Sequence, residues 1–292
     1  MKKYEKKAKK LEKQRETNKH EKTHNRQKNY ILNEGELIPP LIDMGIFTHE
    51  GKIASSMQHK YRQINRYLEI INDTLTDDMS SLKVIDFGCG KSYLTFIVYY
   101  FLTEIKGLKV EMIGLDLKED VINHCTKVAE KYGYTGLTFK TGDVQEDFTK
   151  IENNIDMIIS LHACDTATDY ALFQGIKLNA KIILAAPCCQ HELNSQIKSN
   201  NLSLFTRYGI IKERIAALTT DAIRANLMAS RGYKTQVMEF VELSHTPKNL
   251  LIRAIKTNMP NKARNMYLAE VEEICDEFSL TPLLDKLLKT LN

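Results

Sequence analysis

Val84-Ile85-Asp86-Phe87-Gly88-Cys89-Gly90-Lys91-Ser92-Tyr93-Leu94-Thr95-Phe96 is the stretch on which the fold turns. The apolar run from Leu82 to Phe87 has the length and composition of a buried strand, and an apolar-periodic helix begins near Tyr93. Between them a Gly-x-Gly turn removes two Cβ atoms, so the backbone can curl close under a ligand. The helix behind it points free N–H groups at whatever the turn holds.

Outward from that unit the chain alternates strand and helix. The expected elements are Tyr93 to Ile105, Val110 to Leu115, Glu119 to Tyr132, Leu137 to Thr141, Ile155 to Leu161, Thr168 to Leu178 and Lys181 to Ala186. Strands separated by helices of this length predict a parallel α/β sheet covered on both faces. A long helix over Leu204 to Arg231 follows, then two β-type runs, Gln236 to Leu243 and Leu250 to Ile255, joined as a hairpin through Ser244 to Asn249. Upstream, Leu32 to Pro40 reads as turn with Pro39-Pro40 as a stop, and Met57 to Leu75 as a helix. The tail from Ala263 to Leu291 reads as helical and packing back on the domain. The expected division is a basic arm and helical N-terminal extension over 1–80, a catalytic domain over 81–258 and a helical tail over 259–292.

At 292 residues and 43% hydrophobic content the chain can bury one full-sized core. Its six cysteines, Cys89, Cys125, Cys164, Cys188, Cys189 and Cys275, follow no disulfide-framework spacing, and no apolar stretch is long enough for a signal or membrane segment. The expectation is a cytoplasmic protein with free thiols and no membrane partner. Charge is uneven: the first 30 residues hold twelve Lys or Arg against four Glu, a surplus of eight, so with +4 overall the remainder carries a deficit of four. Such an arm cannot bury an apolar face, and its lysines would release counterions from a phosphate backbone. RNA is the expected partner, a solubilising tail the alternative.

Asp86, Gly88 and Gly90 resemble motif I, D-x-G-x-G-x-G, of the class I S-adenosylmethionine (SAM)-dependent methyltransferases, with Ser92 in the third glycine's place. Two further acids stand at the ends of the next two strands, in Gly114-Leu115-Asp116-Leu117 and Thr141-Gly142-Asp143-Val144. In a doubly wound sheet a ligand lies across neighbouring carboxyl ends, where a carboxylate can accept both ribose hydroxyls. The resemblance implies a Rossmann-like, seven-stranded, mostly parallel sheet with a terminal antiparallel hairpin. It implies SAM as cofactor, held by Asp86, Gly88, Cys89, Gly90, Ser92, Asp116, Leu117, Asp143 and Val144, with Leu161 and His162 beside the sulfonium.

The fourth strand runs into Leu161-His162-Ala163-Cys164-Asp165 and the fifth into Pro187-Cys188-Cys189-Gln190-His191-Glu192. Absence of a [D/N]-P-P-[Y/F/W] motif disfavours an exocyclic amine as acceptor. Three readings of this mouth compete. Zinc suits thiolates and imidazoles, but adjacent cysteines rarely share one ion and the zinc-deaminase pattern fails, so no metal is expected. Covalent cytosine C5 chemistry would use a thiolate, though the proline preceding such a fourth-strand cysteine is missing. The third reading is a pocket for a flat acceptor that needs no deprotonation, such as guanine N7.

The pairing of L-H-A-C-D with P-C-C-Q-H-E-L, from about Met57 to Lys256, is similar to a branch of Rossmann-like methyltransferases that includes a bacterial 23S ribosomal RNA guanine-N7 enzyme of Gram-positive cocci. This implies an rRNA methyltransferase acting on the large-subunit RNA or its precursor particle. His162, Cys164 and Asp165 would handle the acceptor, and Pro187, Cys188, Cys189 and Gln190 would line its pocket. Arg207, Arg214 and other basic residues of segment 207–231 would grip backbone. Tyr93, Phe205 or Tyr208 could stack on the target base, but burial in the core is the expectation for each of them.

Overall fold

The computed structural model describes residues 30–91, 93–146, 154–161, 163–198, 202–240 and 250–291. Pro39 opens a short helix, α1 (Pro39–Asp43), instead of stopping the chain. Its ring presets the helical φ and lacks only an N–H that has no intrahelical acceptor at that position, which corrects the stop read at Pro39-Pro40. A 3-10 turn, Ser55–Met57, leads into α2 (Gln58–Asn72), which buries Tyr61, Ile64, Tyr67, Leu68 and Ile71 at helical spacing.

The α/β alternation then follows: β1 (Ser81–Phe87), α3 (Tyr93–Tyr100) with a π-helical continuation over Phe101–Ile105, β2 (Lys109–Asp116), α4 (Glu119–Tyr132), β3 (Leu137–Thr141), β4 (Met157–Ser160), α5 (Thr166–Lys177) and β5 (Ile182–Ala185). Next come α6 (His191–Gln196), α7 (Ser203–Thr206), α8 (Gly209–Ser230), β6 (Tyr233–Glu239), β7 (Leu250–Lys256), α9 (Asn261–Phe278) and α10 (Leu283–Lys289). The single helix expected over 204–231 is two, because Tyr208 is extended (φ −97°, ψ 118°) ahead of Gly209. Ser279, left-handed at φ 55°, divides the tail in the same way. The first hairpin strand begins at Tyr233, earlier than Gln236. The expected hairpin turn and residues 241–243 lie outside the described residues.

The sheet order is β3-β2-β1-β4-β5-β7-β6. Strands β1 to β5 pair in parallel, while β7 is antiparallel to both β5 and β6. This is the Rossmann-like mixed sheet with a terminal hairpin. The chain runs outward from β1 to β3 and returns on β1's other side as β4, and such a reversal opens a crevice at the carboxyl ends of the strands. Beneath it lies a core of Ile85, Phe87, Ile158, Leu172, Ile183 and Met228, joined by Val271, Phe278, Leu284 and Leu288 of the last two helices. Residues 34–292 form one compact unit. Residues 1–33 form a second, of which 30–33 are described. Among the described residues no helix is long and apolar enough to cross a membrane.

Candidate active site

The turn after β1 is built by left-handed glycines, Gly88 at φ 69° and Gly90 at φ 55°. It is tied to the end of β2: Cys89 N–H donates to the Leu115 carbonyl (2.9 Å) and Gly90 N–H to Asp116 Oδ2 (2.9 Å). Asp116 Oδ1 accepts from Lys118 N–H at 3.0 Å. Each oxygen therefore holds one backbone donor and keeps one acceptor position. At the end of β3, Asp143 Oδ1 accepts from Gln145 N–H (3.0 Å). Beside it the buried Gln174 of α5 donates Nε2 to the carbonyls of Val144 (3.0 Å) and Glu146 (2.6 Å), pinning the turn. These ends enclose a cleft of about 350 Å³ lined by Gly88, Asp116, Leu117, Asp143 and Val144, and on the α5 side by Cys164, Thr166 and Tyr170.

Asp86, at the end of β1, is buried and accepts from Thr95 Oγ1 at 2.6 Å. Burial pushes its carboxyl up to about 7, with the Asp116 charge adding to the rise and the Thr95 bond opposing it. Tyr67 of α2 is fully buried, and burial, then the Asp86 charge, push its phenol well up. A buried carboxyl poised near neutrality beside a glycine turn is suited to receive a cation.

Across the crevice, the loops after β4 and β5 bring three thiols together. Cys164 Sγ lies 2.8 Å from Cys188 Sγ, which lies 3.8 Å from Cys189 Sγ. Burial, then the neighbouring thiols, push Cys188 up to about 12. Asp165 holds φ 51° and ψ −119°, a costly conformation for a residue with a Cβ. Its Oδ1 accepts from His191 N–H (2.9 Å) and Glu192 N–H (3.2 Å), capping α6 from the neighbouring loop.

That conformation is secured from below by Arg224 of α8, 1% exposed. Arg224 donates to the Asp165 carbonyl (2.9 Å), binds Asp169 through Nε (3.0 Å) and Nη2 (2.6 Å), and reaches Asp221 at 3.2 Å. Against the desolvation of burial, the two carboxylates hold its pKa above the usual arginine value. Burial pushes Asp221 up to about 6 against the pull of Arg224. Asp221 Oδ2 accepts from Gln190 Nε2 (3.0 Å), which also meets the Pro187 carbonyl at 3.3 Å.

Residues 59–196 match the family model described as "Methyltransferase domain". The chain carries a class I, Rossmann-like, SAM-dependent methyltransferase domain. Relatives from Bos taurus and Homo sapiens, each called "Glutathione S-transferase C-terminal domain-containing protein", are 23% identical over 230 residues, covering 70% of this chain and 34% of theirs. The chain thus spans about a third of the length of those relatives. Among solved structures, the SAH-bound methyltransferase PaMTH1 of Podospora anserina is similar at TM-score 0.44 and 12% identity, covering 77% of this chain and 91% of that one. The magnesium protoporphyrin IX methyltransferase ChlM of Synechocystis, with bound SAH, is similar at 0.39 and 14%, covering 71% and 89%.

The cleft of this domain thus gathers Gly88, Asp116, Leu117, Asp143, Val144 and Cys164. Asp86 and Cys89 lie buried at its β1 side, and Leu161 is buried beyond the end of β4. Ser92 and His162 lie outside the described residues. Pro187 and Gln190 are buried, with Cys188 and Cys189 half-buried between them. Arg224, read as one of several backbone-gripping arginines, is instead wholly enclosed, and the half-buried Arg231 donates to the Leu288 carbonyl at 2.7 Å. Arg207 and Arg214 are exposed. Tyr93, Phe205 and Tyr208 are 43%, 41% and 52% exposed, so none is a core residue. Sequence reasoning missed Thr95, Tyr67, Gln174 and the Asp169–Asp221–Arg224 cluster, of which only the three-residue spacing of Asp221 and Arg224 is a local signal.

Proposed function

We propose that this domain transfers a methyl group from SAM to N7 of a guanine in 23S ribosomal RNA, in the cytoplasm. The observation carrying this reading is that the acceptor-side carboxylates are already engaged. Asp165 caps α6, while Asp169 and Asp221 hold Arg224. Burial and the neighbouring thiols raise the Cys188 pKa, so without a bound cation this sulfur is a poor nucleophile for covalent addition to cytosine. A mouth of this kind suits an acceptor atom with a free in-plane lone pair, for which alignment and exclusion of water supply most of the catalysis.

SAM supplies an electrophilic methyl group on a sulfonium centre. In this reading Asp116 takes the ribose hydroxyls through its two remaining acceptor positions, and Asp143 and Val144 take the adenine. The 88–90 turn, whose Cys89 and Gly90 N–H groups are taken by Leu115 and Asp116, lets the methionine end approach closely, Asp86 meets its ammonium, and Leu161 flanks the sulfonium. Pro187, Cys188, Cys189 and Gln190 shape the acceptor pocket. Exposed Arg207, Arg214, Phe205 and Tyr208 offer a cationic and aromatic strip for unstacked RNA. Arg214 stands seven residues before Asp221 on α8, about 10 Å along the axis. The basic arm over 1–30 would add sequence-independent grip.

The test is methylation of 23S rRNA and of its precursor particle by the purified chain, read by nucleoside mass spectrometry. The expected product is 7-methylguanosine at one position. The double substitution Arg207→Gln, Arg214→Gln should flatten the salt dependence of RNA binding by about two in log–log slope. Methylated protein or metabolite with unmodified RNA would sink the RNA reading, and 5-methylcytidine lost in Cys164→Ala or Cys188→Ala would transfer it to the covalent route.

A further inference from the structure

We infer that Cys164, Cys188 and Cys189 form a binding site for one thiophilic divalent cation, with Zn²⁺ as the matching ion. Their sulfur atoms all lie within 4.8 Å of one another. Zinc–thiolate bonds of about 2.3 Å in tetrahedral geometry place two sulfurs about 3.8 Å apart. Cys188 and Cys189 already stand at 3.8 Å. Cys164 is 2.8 Å from Cys188 and exposed, so an opening of about 1 Å by a surface side chain completes the triangle.

Adjacency of Cys188 and Cys189 argues against shared ligation where the backbone is a strand, because successive side chains then point to opposite faces. Here β5 ends at Ala185, and the two sulfurs approach each other in the loop beyond it. Outer partners that fix the ligand loops are a regular part of metal sites. Gln190 Nε2 holds the Pro187 carbonyl (3.3 Å), while Asp165 receives the N–H groups of His191 and Glu192 and offers its own carbonyl to Arg224. A set of three sulfurs selects a soft or borderline ion over magnesium or calcium, and three protein ligands leave a fourth position open. Cys164 also lines the cofactor cleft, so the ion would clip the β4 loop to the β5 loop at the border between cofactor and acceptor. This holds whatever the acceptor is.

The experiment uses the full chain, reduced and desalted without oxygen, titrated with Co²⁺ and then Zn²⁺. One equivalent of Co²⁺ per chain should bring up thiolate-to-cobalt charge-transfer absorption, and one equivalent of Zn²⁺ should abolish it. Cys164→Ser, Cys188→Ser and Cys189→Ser should each lose the band, whereas Cys275→Ser should keep it. Because a variant can fail by misfolding, alkylation of the wild type is read in parallel by peptide mass spectrometry. Zn²⁺ should shield Cys164, Cys188 and Cys189 by at least tenfold in rate and leave Cys275 unaffected. A reduced wild type with no charge-transfer band and no shielding overturns the site. So does a Cys164–Cys188 disulfide whose reduction yields thiols that still bind no cobalt.

Discussion

Asp116 and Asp165 are both acids placed by the carboxyl ends of parallel strands, yet they are held by opposite means. Asp116 is gripped by backbone donors of the turns around it, Gly90 N–H and Lys118 N–H, and lies on an open cleft. Asp165 is gripped through its own carbonyl by a buried arginine 59 residues away, and its side chain braces the next loop. The cofactor side is thus local turn chemistry on a rigid sheet. The side beyond β4 is a strained loop held in place by one buried charge network. Damage on the first side should cost ligand affinity, and damage on the second should cost stability.

Arg224→Met is the strongest way to break that contrast. It strands Asp169 and Asp221 in the interior, and removing one partner of a buried ion pair costs about 3–5 kcal/mol. Urea unfolding should show that loss, while SAM affinity of the folded fraction stays near wild type. A loss under about 1 kcal/mol would mean that the network does not brace the mouth.

Asp86 sharpens it through pH. Its folded pKa, about 7, lies above its ordinary 3.8, so the stability linked to its protonated form is complete below pH 4 and is lost as pH rises towards and through 7. The unliganded protein should lose a few kcal/mol across that window, and Asp86→Asn should flatten the profile. Parallel profiles for both proteins would show that Asp86 ionises without penalty.

Asp116→Ala should give the smallest effect, confined to ligand. Loss of charged hydrogen bonds worth about 1.5–3 kcal/mol corresponds to roughly tenfold to hundredfold weaker SAM binding by calorimetry, with an unfolding midpoint close to wild type. Unchanged SAM affinity would remove Asp116 from the cofactor site.

The same division separates what could be read in the sequence from what could not. The limits of α4 and β3 coincide with those set by periodicity and by the glycines that follow, and the turn at 88–90 announces itself by composition. These features are local, so short stretches of chain contain their causes. Arg224 looks no different in sequence from Arg214, since its burial depends on Asp169, 55 residues upstream on another helix. Gln174 reads as one more polar helix residue, and its bonds to Val144 and Glu146 exist only because α5 packs beside the β3 turn. Cys164 and Cys188 meet only because β4 and β5 are neighbours, a fact of strand order.

The bond from Leu283 N–H to Glu192 Oε1 (2.9 Å), with Lys198 N–H on the Phe278 carbonyl (3.1 Å) and Thr281 on Gln196, ties helix α6 to the last helices of the chain. During synthesis the five parallel strands, the glycine turn and all three thiols are made well before the segment that fastens α6. A nascent chain can therefore bring the glycine turn and Asp116 together while the helix after β5 still lacks its final clasp.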